Sequence, residues 1–278
     1  MFLPTTIKEV RARGWEQLDV ILFSGDAYID HPAFGAAVIG RLLEAEGYRV
    51  AIVPQPNWRD DLRDFTKLGT PRLFFGITAG SMDSMVNHYT ANIRLRSNDA
   101  YTPGGKAGFR PDYAVRVYTQ IVKRLFPHVP VVVGGIEASL RRLTHYDYWN
   151  DSLKPSVLAE SGADLLIYGM GERVVQQVAR ALRNGYNAKL LRKLRQVAFM
   201  AGKDYVERLD PAETIRLHSY EECARDNRAF GENFTVIETQ SNLMEPTATL
   251  VEAVGDRYVV VTPPNTTLTT EELDHSFD

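Results

Sequence analysis

Residues 19–47 read DVILFSGDAYIDHPAFGAAVIGRLLEAEG, and this stretch decides the fold class. It opens with an apolar, β-branched run at residues 19–23, which predicts a strand followed by a polar loop. From Phe34 to Glu46 apolar residues recur every three to four positions, which predicts a helix, and Gly47 is a typical helix end. The unit is therefore a strand, a loop and a helix, as in α/β proteins.

The same alternation continues along the first two thirds of the chain. Further apolar runs predict strands at residues 48–53, 72–77, 129–133 and 164–168. Helices are predicted at about residues 61–68, 112–126 and 172–184. Because the strand runs are continuously apolar, helices should cover both faces of the sheet. With right-handed crossovers this gives an α/β fold with a doubly wound, mostly parallel, Rossmann-like sheet.

The pattern changes beyond Gly185. We therefore expect two domains, a Rossmann-like domain at residues 1–185 and a small α+β extension at residues 186–278. In the extension a strand is predicted at residues 197–200 and an acidic helix at residues 220–230. Alternating runs predict two more strands, at residues 235–238 and 257–261, as a small antiparallel or edge addition. A last helix is predicted at residues 269–277.

Composition narrows the class of protein. The 278 residues carry a net charge of −3 and are 44% hydrophobic, which is ordinary for a globular protein and unlike a generic nucleic-acid or membrane-surface binder. There is no signal-peptide pattern and no apolar run long enough to span a membrane, so a cytoplasmic location is expected. The single Cys223 excludes a Cys-only zinc or iron–sulfur site within these residues.

Ligands of open parallel sheets bind beyond the carboxyl ends of the strands, so the loops there are the candidate site. The loop after the first strand offers Ser24, Gly25, Asp26, Asp30 and His31 ahead of a helix. Free N–H groups at that helix start favour an anionic or phosphate-bearing ligand. The alternative is that Asp30 caps the helix and His31 is merely solvated.

Glycine-rich loops follow the fourth and fifth strands. Gly134 and Gly135, with Glu137 behind them, would let a flat or bulky ligand approach the backbone, although a tight strand-to-helix turn explains them equally well. Gly169, Gly171 and Glu172 form a near match to a dinucleotide-binding motif, with Val174 in the place of the third glycine. These loops complete a set of candidate cofactor-binding residues; no catalytic residue and no metal ligand is predicted.

The long polar segment at residues 78–111 is predicted to be a functional loop or lid. Its cations Arg94, Arg96, Lys106 and Arg110 could hold a phosphate or a nucleotide base, as in an RNA substrate. A solvated loop or a domain-contact surface is the alternative interpretation.

Four stretches are distinctive enough to suggest a family. They are FLPTTIKEVRARGWEQLDVILFSGDAYIDHPAFG (2–35), GITAGSMDSMVNHYTANIRLRSNDAYTPGG (76–105), VVVGGIEASLRRLTHYDYWNDSLKPSVL (131–158) and YVVVTPPNTTLTTEELD (258–274). Together they strongly resemble the YgiQ-like family of radical-SAM proteins, and the resemblance runs essentially from end to end.

The resemblance implies a cytoplasmic bacterial protein with a cobalamin-binding type of Rossmann domain at its N-terminus. A radical-SAM barrel would follow, with a CxxxCxxC loop that holds a [4Fe-4S] cluster and S-adenosylmethionine. This sequence stops at Asp278 and lacks those cysteines. We therefore expect a fragment of a protein about twice as long: an accessory, substrate-presenting part of a radical-SAM enzyme that is not catalytic alone and whose partner is its own missing radical-SAM domain.

Cobalamin itself is an open expectation. Base-off cobalamin domains carry Asp-x-His-x-x-Gly after the first strand, whereas here Asp30 and His31 are adjacent and Gly35 follows four residues after His31. The glycine loops that begin at Gly134 and Gly169 do match later loops of such domains. The alternatives are a non-catalytic corrinoid- or nucleotide-binding module and an RNA-substrate-binding domain; no membrane partner is expected.

Overall fold

The computed structural model describes residues 2–275. Its strands are β1 Val20–Ser24, β2 Val50–Pro54, β3 Phe74–Thr78, β4 Val131–Val133, β5 His145–Asp147, β6 Ser152–Lys154, β7 Leu165–Ile167, β8 Val197–Ala201, β9 Thr214–Arg216, β10 Thr249–Val254 and β11 Arg257–Val261. Its α-helices are α1 Ile7–Ala12, α2 Gly35–Ala45, α3 Arg63–Thr66, α4 Ser84–His88, α5 Ala114–Leu125, α6 Gly135–Leu140, α7 Val157–Ser161, α8 Glu172–Arg183, α9 Ala188–Leu191, α10 Lys203–Val206, α11 Tyr220–Arg225, α12 Asn227–Ser241 and α13 Thr270–His275. Short 3₁₀ helices lie at Pro103–Gly105 and Pro211–Glu213.

One nine-stranded sheet organises the chain, in the order β2-β1-β3-β4-β7-β8-β11-β10-β9. The first five strands of that order are parallel, β8 and β11 pair in antiparallel fashion, and β5 and β6 form a separate hairpin. The predicted α/β, mostly parallel fold is therefore confirmed. The division at residue 185 remains a prediction, and the extension continues the same sheet through the β7–β8 pairing.

Apolar residues of the parallel strands supply core on both faces of the sheet. Successive side chains of a strand point to opposite faces, so Phe23 packs in one cluster and Leu22 in the other. Tyr118 of α5 belongs to the first cluster and Val175 of α8 to the second. This two-sided burial is why the strands read as continuous apolar runs.

The strand predicted at residues 235–238 is wrong, because these residues lie inside α12. The Asp226 side chain caps that helix by accepting a hydrogen bond from the Arg228 amide at 2.8 Å, and Val236 and Ile237 pack against the core. A four-residue alternation fits either structure, and only packing decides. Besides β8, the strand that pairs with β11 is β10, which was not predicted.

Two further observations concern the last helix and membrane-spanning helices. The predicted last helix is present as α13, and Phe277 of that prediction lies outside the described residues. Within residues 2–275, no helix is both long and apolar enough to cross a membrane.

Candidate functional site

A crevice opens at the carboxyl edge of the parallel strands. Ser24 at the end of β1 pairs in register with Thr78 at the end of β3, and Ile77 pairs with Val133 of β4. These strand ends and the loops behind them line a cavity of about 370 Å³, which also contacts α2 and α8. Loops that are distant in sequence thus meet at this edge, and their role as a ligand site stays a prediction.

The predicted residues divide into two groups. Those that line the crevice are Ser24, Asp26, Gly134, Gly135, Gly169, Gly171 and Glu172. Those that do not are Gly25, Asp30, His31 and Glu137.

Asp26 is an anchor as well as a lining residue. One of its carboxylate oxygens, Oδ1, lies 2.8 Å from Nη2 of Arg110, and the other accepts a hydrogen bond from the Ser81 amide at 2.6 Å. Arg110 also donates to the Ala79 carbonyl at 2.7 Å and pairs with Asp99 at 3.3 Å. The Arg110 side chain is 0% exposed, so its positive charge is used in ion pairs inside the protein. These pairs connect the loop after β1 to the segment at residues 78–111.

Gly25 allows the same contacts between the two segments to form, because it has no side chain. A β-carbon at this position would stand 2.1 Å from the Ala79 carbonyl oxygen, well inside contact distance. The chain can therefore pass beside Ala79 only because residue 25 is glycine.

Asp30 and His31 do not line the crevice. Asp30 pairs with Arg41 of α2 through two hydrogen bonds, one of them Nε to Oδ1 at 3.0 Å, and this pairing lowers the pKa of Asp30. The interpretation that Asp30 caps the helix is wrong, because α2 begins after Phe34 without a side-chain cap. His31 is exposed and its Nδ1 accepts a hydrogen bond from the Ala33 amide at 3.1 Å, as the solvated alternative predicted.

Glu137 is buried in α6 and does not line the crevice. Its carboxylate accepts hydrogen bonds from the Ser84 amide at 2.8 Å and the Val115 amide at 2.9 Å, and Arg141 lies 3.6 Å away. It thus holds the starts of α4 and α5 against α6. The prediction of a crevice role for Glu137 is not supported by this position.

Glu172 keeps its candidate role. It is the first residue of α8, lines the crevice, and has a buried carboxylate oxygen, Oε2, with no hydrogen-bond partner within the part of the chain that the structure describes. Buried carboxylate oxygens without donors are uncommon, and each one suggests a group that would satisfy it.

The sequence did not single out two further residues that shape the crevice. Gly76, in the middle of β3, pairs with Leu22 and Val132, and a β-carbon there would come within 2.6 Å of Leu22 Cδ2. A lone glycine inside a strand pattern was the signal that could have identified this position, since such glycines mark a close approach. Gln196 does not itself line the crevice, but it holds the lining loop after β7 by donating to the carbonyls of Tyr168 at 2.7 Å and Met170 at 2.5 Å.

The cations of residues 78–111 are not equivalent. Arg94, Arg96 and Lys106 are exposed, whereas Arg110 is buried in its ion pairs and cannot meet a phosphate. The proposed phosphate contact of Arg110 is therefore wrong, for the physical reason that two carboxylates already neutralise it.

The residues present do not fit two cofactors that the resemblance implied. Histidine-ligated cobalamin does not fit, because His31 lies outside the crevice. A [4Fe-4S] cluster does not fit, because Cys223 is buried, accepts a hydrogen bond from Asn233 Nδ2 at 3.2 Å, and has its pKa raised to about 11 by burial. Residues 2–275 contain no group of three or more His, Cys, Asp or Glu side chains arranged to hold a metal ion.

A titratable group away from the crevice gives a pH prediction. Glu252 of β10 is 1% exposed and accepts a hydrogen bond from the Thr144 amide at 2.9 Å, and burial raises its pKa from 4.5 to about 7. The folded state then holds a proton that the unfolded chain releases, so stability should fall as the pH rises from about 4.5 to about 7. Glu252→Gln should remove this fall and be more stable than the parent near pH 8 by about 1–3 kcal/mol.

Urea unfolding at pH 5 and pH 8 measures this effect, with the exposed Glu245→Gln as the matched control. The assignment to Glu252 is contradicted if Glu252→Gln keeps the pH dependence of the parent.

Comparison with known proteins places the chain in a family. The Radical SAM N-terminal family matches residues 2–278. UPF0313 proteins of Porphyromonas gingivalis, Bacteroides thetaiotaomicron and Thermotoga maritima are 60%, 56% and 47% identical to it over 280, 288 and 279 residues. In each case the whole chain is covered but only 43%, 46% and 47% of the relative, so the chain spans about half the length of the curated relatives it matches.

The chain also shows similarity to a solved structure. It is the radical S-adenosylmethionine methyltransferase TsrM from Kitasatospora setae, with tryptophan substrate and a SAM analog bound, at a TM-score of 0.43 and 20% identity over 65% of this chain and 28% of that one. The match to the family over residues 2–278 carries the assignment. The chain belongs to the Radical SAM N-terminal family.

Proposed function

We propose that this chain is the accessory, ligand-presenting part of a radical-SAM enzyme and has no catalytic centre of its own. The observation that carries the proposal is the crevice of about 370 Å³, which several loops build at the carboxyl edge of the parallel strands. Such crevices are where open α/β sheets bind ligands. Membership of the Radical SAM N-terminal family, and relatives about twice as long, support a radical-SAM domain as the partner.

An apolar rim beside the crevice supports docking of that domain. We define the rim as Ile136 and Leu140 of α6 together with Met170, whose exposed fractions are 44%, 59% and 56%. Ile136 and Leu140 are one helical turn apart, and the Gly169 amide donates to Ser139 Oγ at 3.0 Å, which ties α6 to the loop that carries Met170. Clustered exposed apolar residues mark interaction surfaces more often than isolated ones do.

The occupant of the rim that we propose is the radical-SAM domain, since about half of each relative lies beyond the matched region. With that domain on the rim, the mouth of the crevice would face its reaction centre. This chain's residues would then bind and orient the ligand and exclude water, while the cofactors of the other domain supply the radical chemistry.

Hydrogen–deuterium exchange tests the docking. A chimera would carry this chain in place of the 280 matched residues of the Porphyromonas gingivalis protein. We expect residues 134–140 and 169–171 to exchange more slowly in the chimera than in the isolated chain, because the partner domain excludes solvent from the rim. Leu140→Lys should abolish this protection, whereas Met244→Lys, at a position 92% exposed elsewhere, should not. Equal exchange of the rim in both proteins would overturn the proposal.

The division of labour gives a second prediction, on activity. The isolated chain should form no 5′-deoxyadenosine from S-adenosylmethionine after reconstitution with iron and sulfide, because its one cysteine is buried and cannot bind a cluster. The reconstituted chimera should form it under the same reducing conditions. Chromatography measures the 5′-deoxyadenosine formed by each protein. If the isolated chain forms more of it than a Cys223→Ser control does, the assignment of catalysis to the partner domain is contradicted.

A further inference from the structure

The crevice carries carboxylates and no cationic side chain. Asp26 and Glu172 line it, and the described lining residues include no lysine, arginine or histidine. The charge of Asp26 is offset by Arg110 at 2.8 Å, whereas Glu172 has no salt bridge and leaves Oε2 without a partner among the described residues. The crevice therefore holds one carboxylate, that of Glu172, with which no cationic side chain of the described residues pairs.

A second feature of the crevice acts in the opposite direction. Gly35 and Ala36, the first residues of α2, also line it, and no side chain caps that helix, so its positive end would favour an anion. A helix terminus contributes only modestly to binding a charge. A buried carboxylate oxygen without a donor costs more than that, so satisfaction of Glu172 is the larger effect.

Most of the remaining wall is apolar, although the hydroxyl-bearing Ser24, Tyr28, Thr78 and Ser81 also line the crevice. Val38 and Ile39 of α2 form one side, Val175 of α8 another, and Leu22 and Gly76 lie at the sheet. A volume of about 370 Å³ is at the lower end of the range for small-molecule sites. A mostly apolar space between two helices and a sheet, in which Glu172 is the lining carboxylate without a cationic partner among the described residues, suits a small, flat, apolar ligand with a single polar donor group.

We propose that the crevice binds a flat apolar ligand through an amino or amidine-like donor group held by the carboxylate of Glu172, and that it rejects phosphate-bearing ligands. The inference rests on the proposed function, which makes the crevice the ligand site, and it names the chemical class of that ligand. It also replaces the phosphate expected from the helix start alone.

Fluorescence titration of the 278-residue chain with 9-aminoacridine, a flat cation at neutral pH, tests the class. We expect saturable binding that weakens at least tenfold in Glu172→Gln, because the variant keeps the shape but loses the charge. Glu16→Gln is the matched control, since this exposed residue precedes β1 at the opposite edge of the sheet, and it should bind as the parent does. The anionic dye 1-anilinonaphthalene-8-sulfonate should bind the parent more weakly than it binds Glu172→Gln.

A third variant separates failure of the ligand class from failure of the site. Ala36→Phe places a bulky side chain at a lining position and should block both dyes, with circular dichroism and a melting curve to verify folding. If Ala36→Phe blocks 9-aminoacridine but Glu172→Gln binds it like the parent, the ligand class is wrong and the site stands. If neither variant changes binding, or no dye binds the parent, the crevice is not a ligand site and the proposed function fails with the inference.

Discussion

Arg110→Met should lower the free energy of unfolding by about 3–5 kcal/mol. Removal of the guanidinium leaves Asp26 and Asp99 buried without a cation, their side chains 4% and 1% exposed, and breaks the hydrogen bond to the Ala79 carbonyl. Chemical denaturation, monitored by tryptophan fluorescence and circular dichroism together, measures the loss.

The matched control for this prediction lies in the same segment of the chain. Arg94 is exposed, so Arg94→Met should change stability by no more than about 0.5 kcal/mol. Similar losses for the two variants would show that Arg110 is not an internal anchor. The pair also separates a structural arginine from a surface one, a distinction that the sequence alone did not make.

Gly25→Ala should destabilise the protein by about 3 kcal/mol, at the upper end of the range for overpacked sites. The added β-carbon would stand 2.1 Å from a backbone oxygen, and backbone cannot move aside as a flexible side chain can. The neighbouring Asp26–Arg110 pair would be displaced with it, because Arg110 Cδ would lie 3.2 Å from the same β-carbon. Thermal and denaturant unfolding both report the change.

Gly231→Ala is the control for the effect of removing a glycine. Gly231 lies inside α12 with no neighbouring atom within 4 Å of an added β-carbon, so alanine should stabilise the helix by about 0.5–1 kcal/mol. A loss at Gly25 no larger than the change at Gly231 would contradict the close approach that the structure shows.

The fold was predictable where local pattern and burial agree. The run at residues 19–23 and the helical spacing from Phe34 to Glu46 correspond to β1 and α2 to within a residue at each end. The parallel strands are buried on both faces, and this burial is what makes their apolar character visible in sequence. The helix α12 was missed in part because its segment at residues 235–238 packs only one side against the core, which leaves a pattern that also fits a strand.

The site was predictable in place but not in the role of each side chain. The loops after β1, β4 and β7, which the rule for open sheets singled out, line one crevice, and a ligand site there stays a prediction. Whether a carboxylate in those loops faces the crevice depends on partners far away in sequence: Arg110 for Asp26, and the amides of Ser84 and Val115 for Glu137. No periodicity encodes such pairs, so Glu137 and Glu172 looked alike in sequence although of these two only Glu172 lines the crevice.

If the crevice edge of the sheet faces the radical-SAM domain, as we propose, a spin label on the rim should lie near the cluster of that domain. A nitroxide at Met170→Cys, on the rim, and one at Glu16→Cys, at the opposite edge, would be compared in the Cys223→Ser background of the chimera with its cluster reduced. We expect the paramagnetic cluster to speed the relaxation of the label at position 170 and to leave the label at position 16 nearly unchanged. Faster relaxation at position 16 than at position 170 would show that the opposite edge faces the domain.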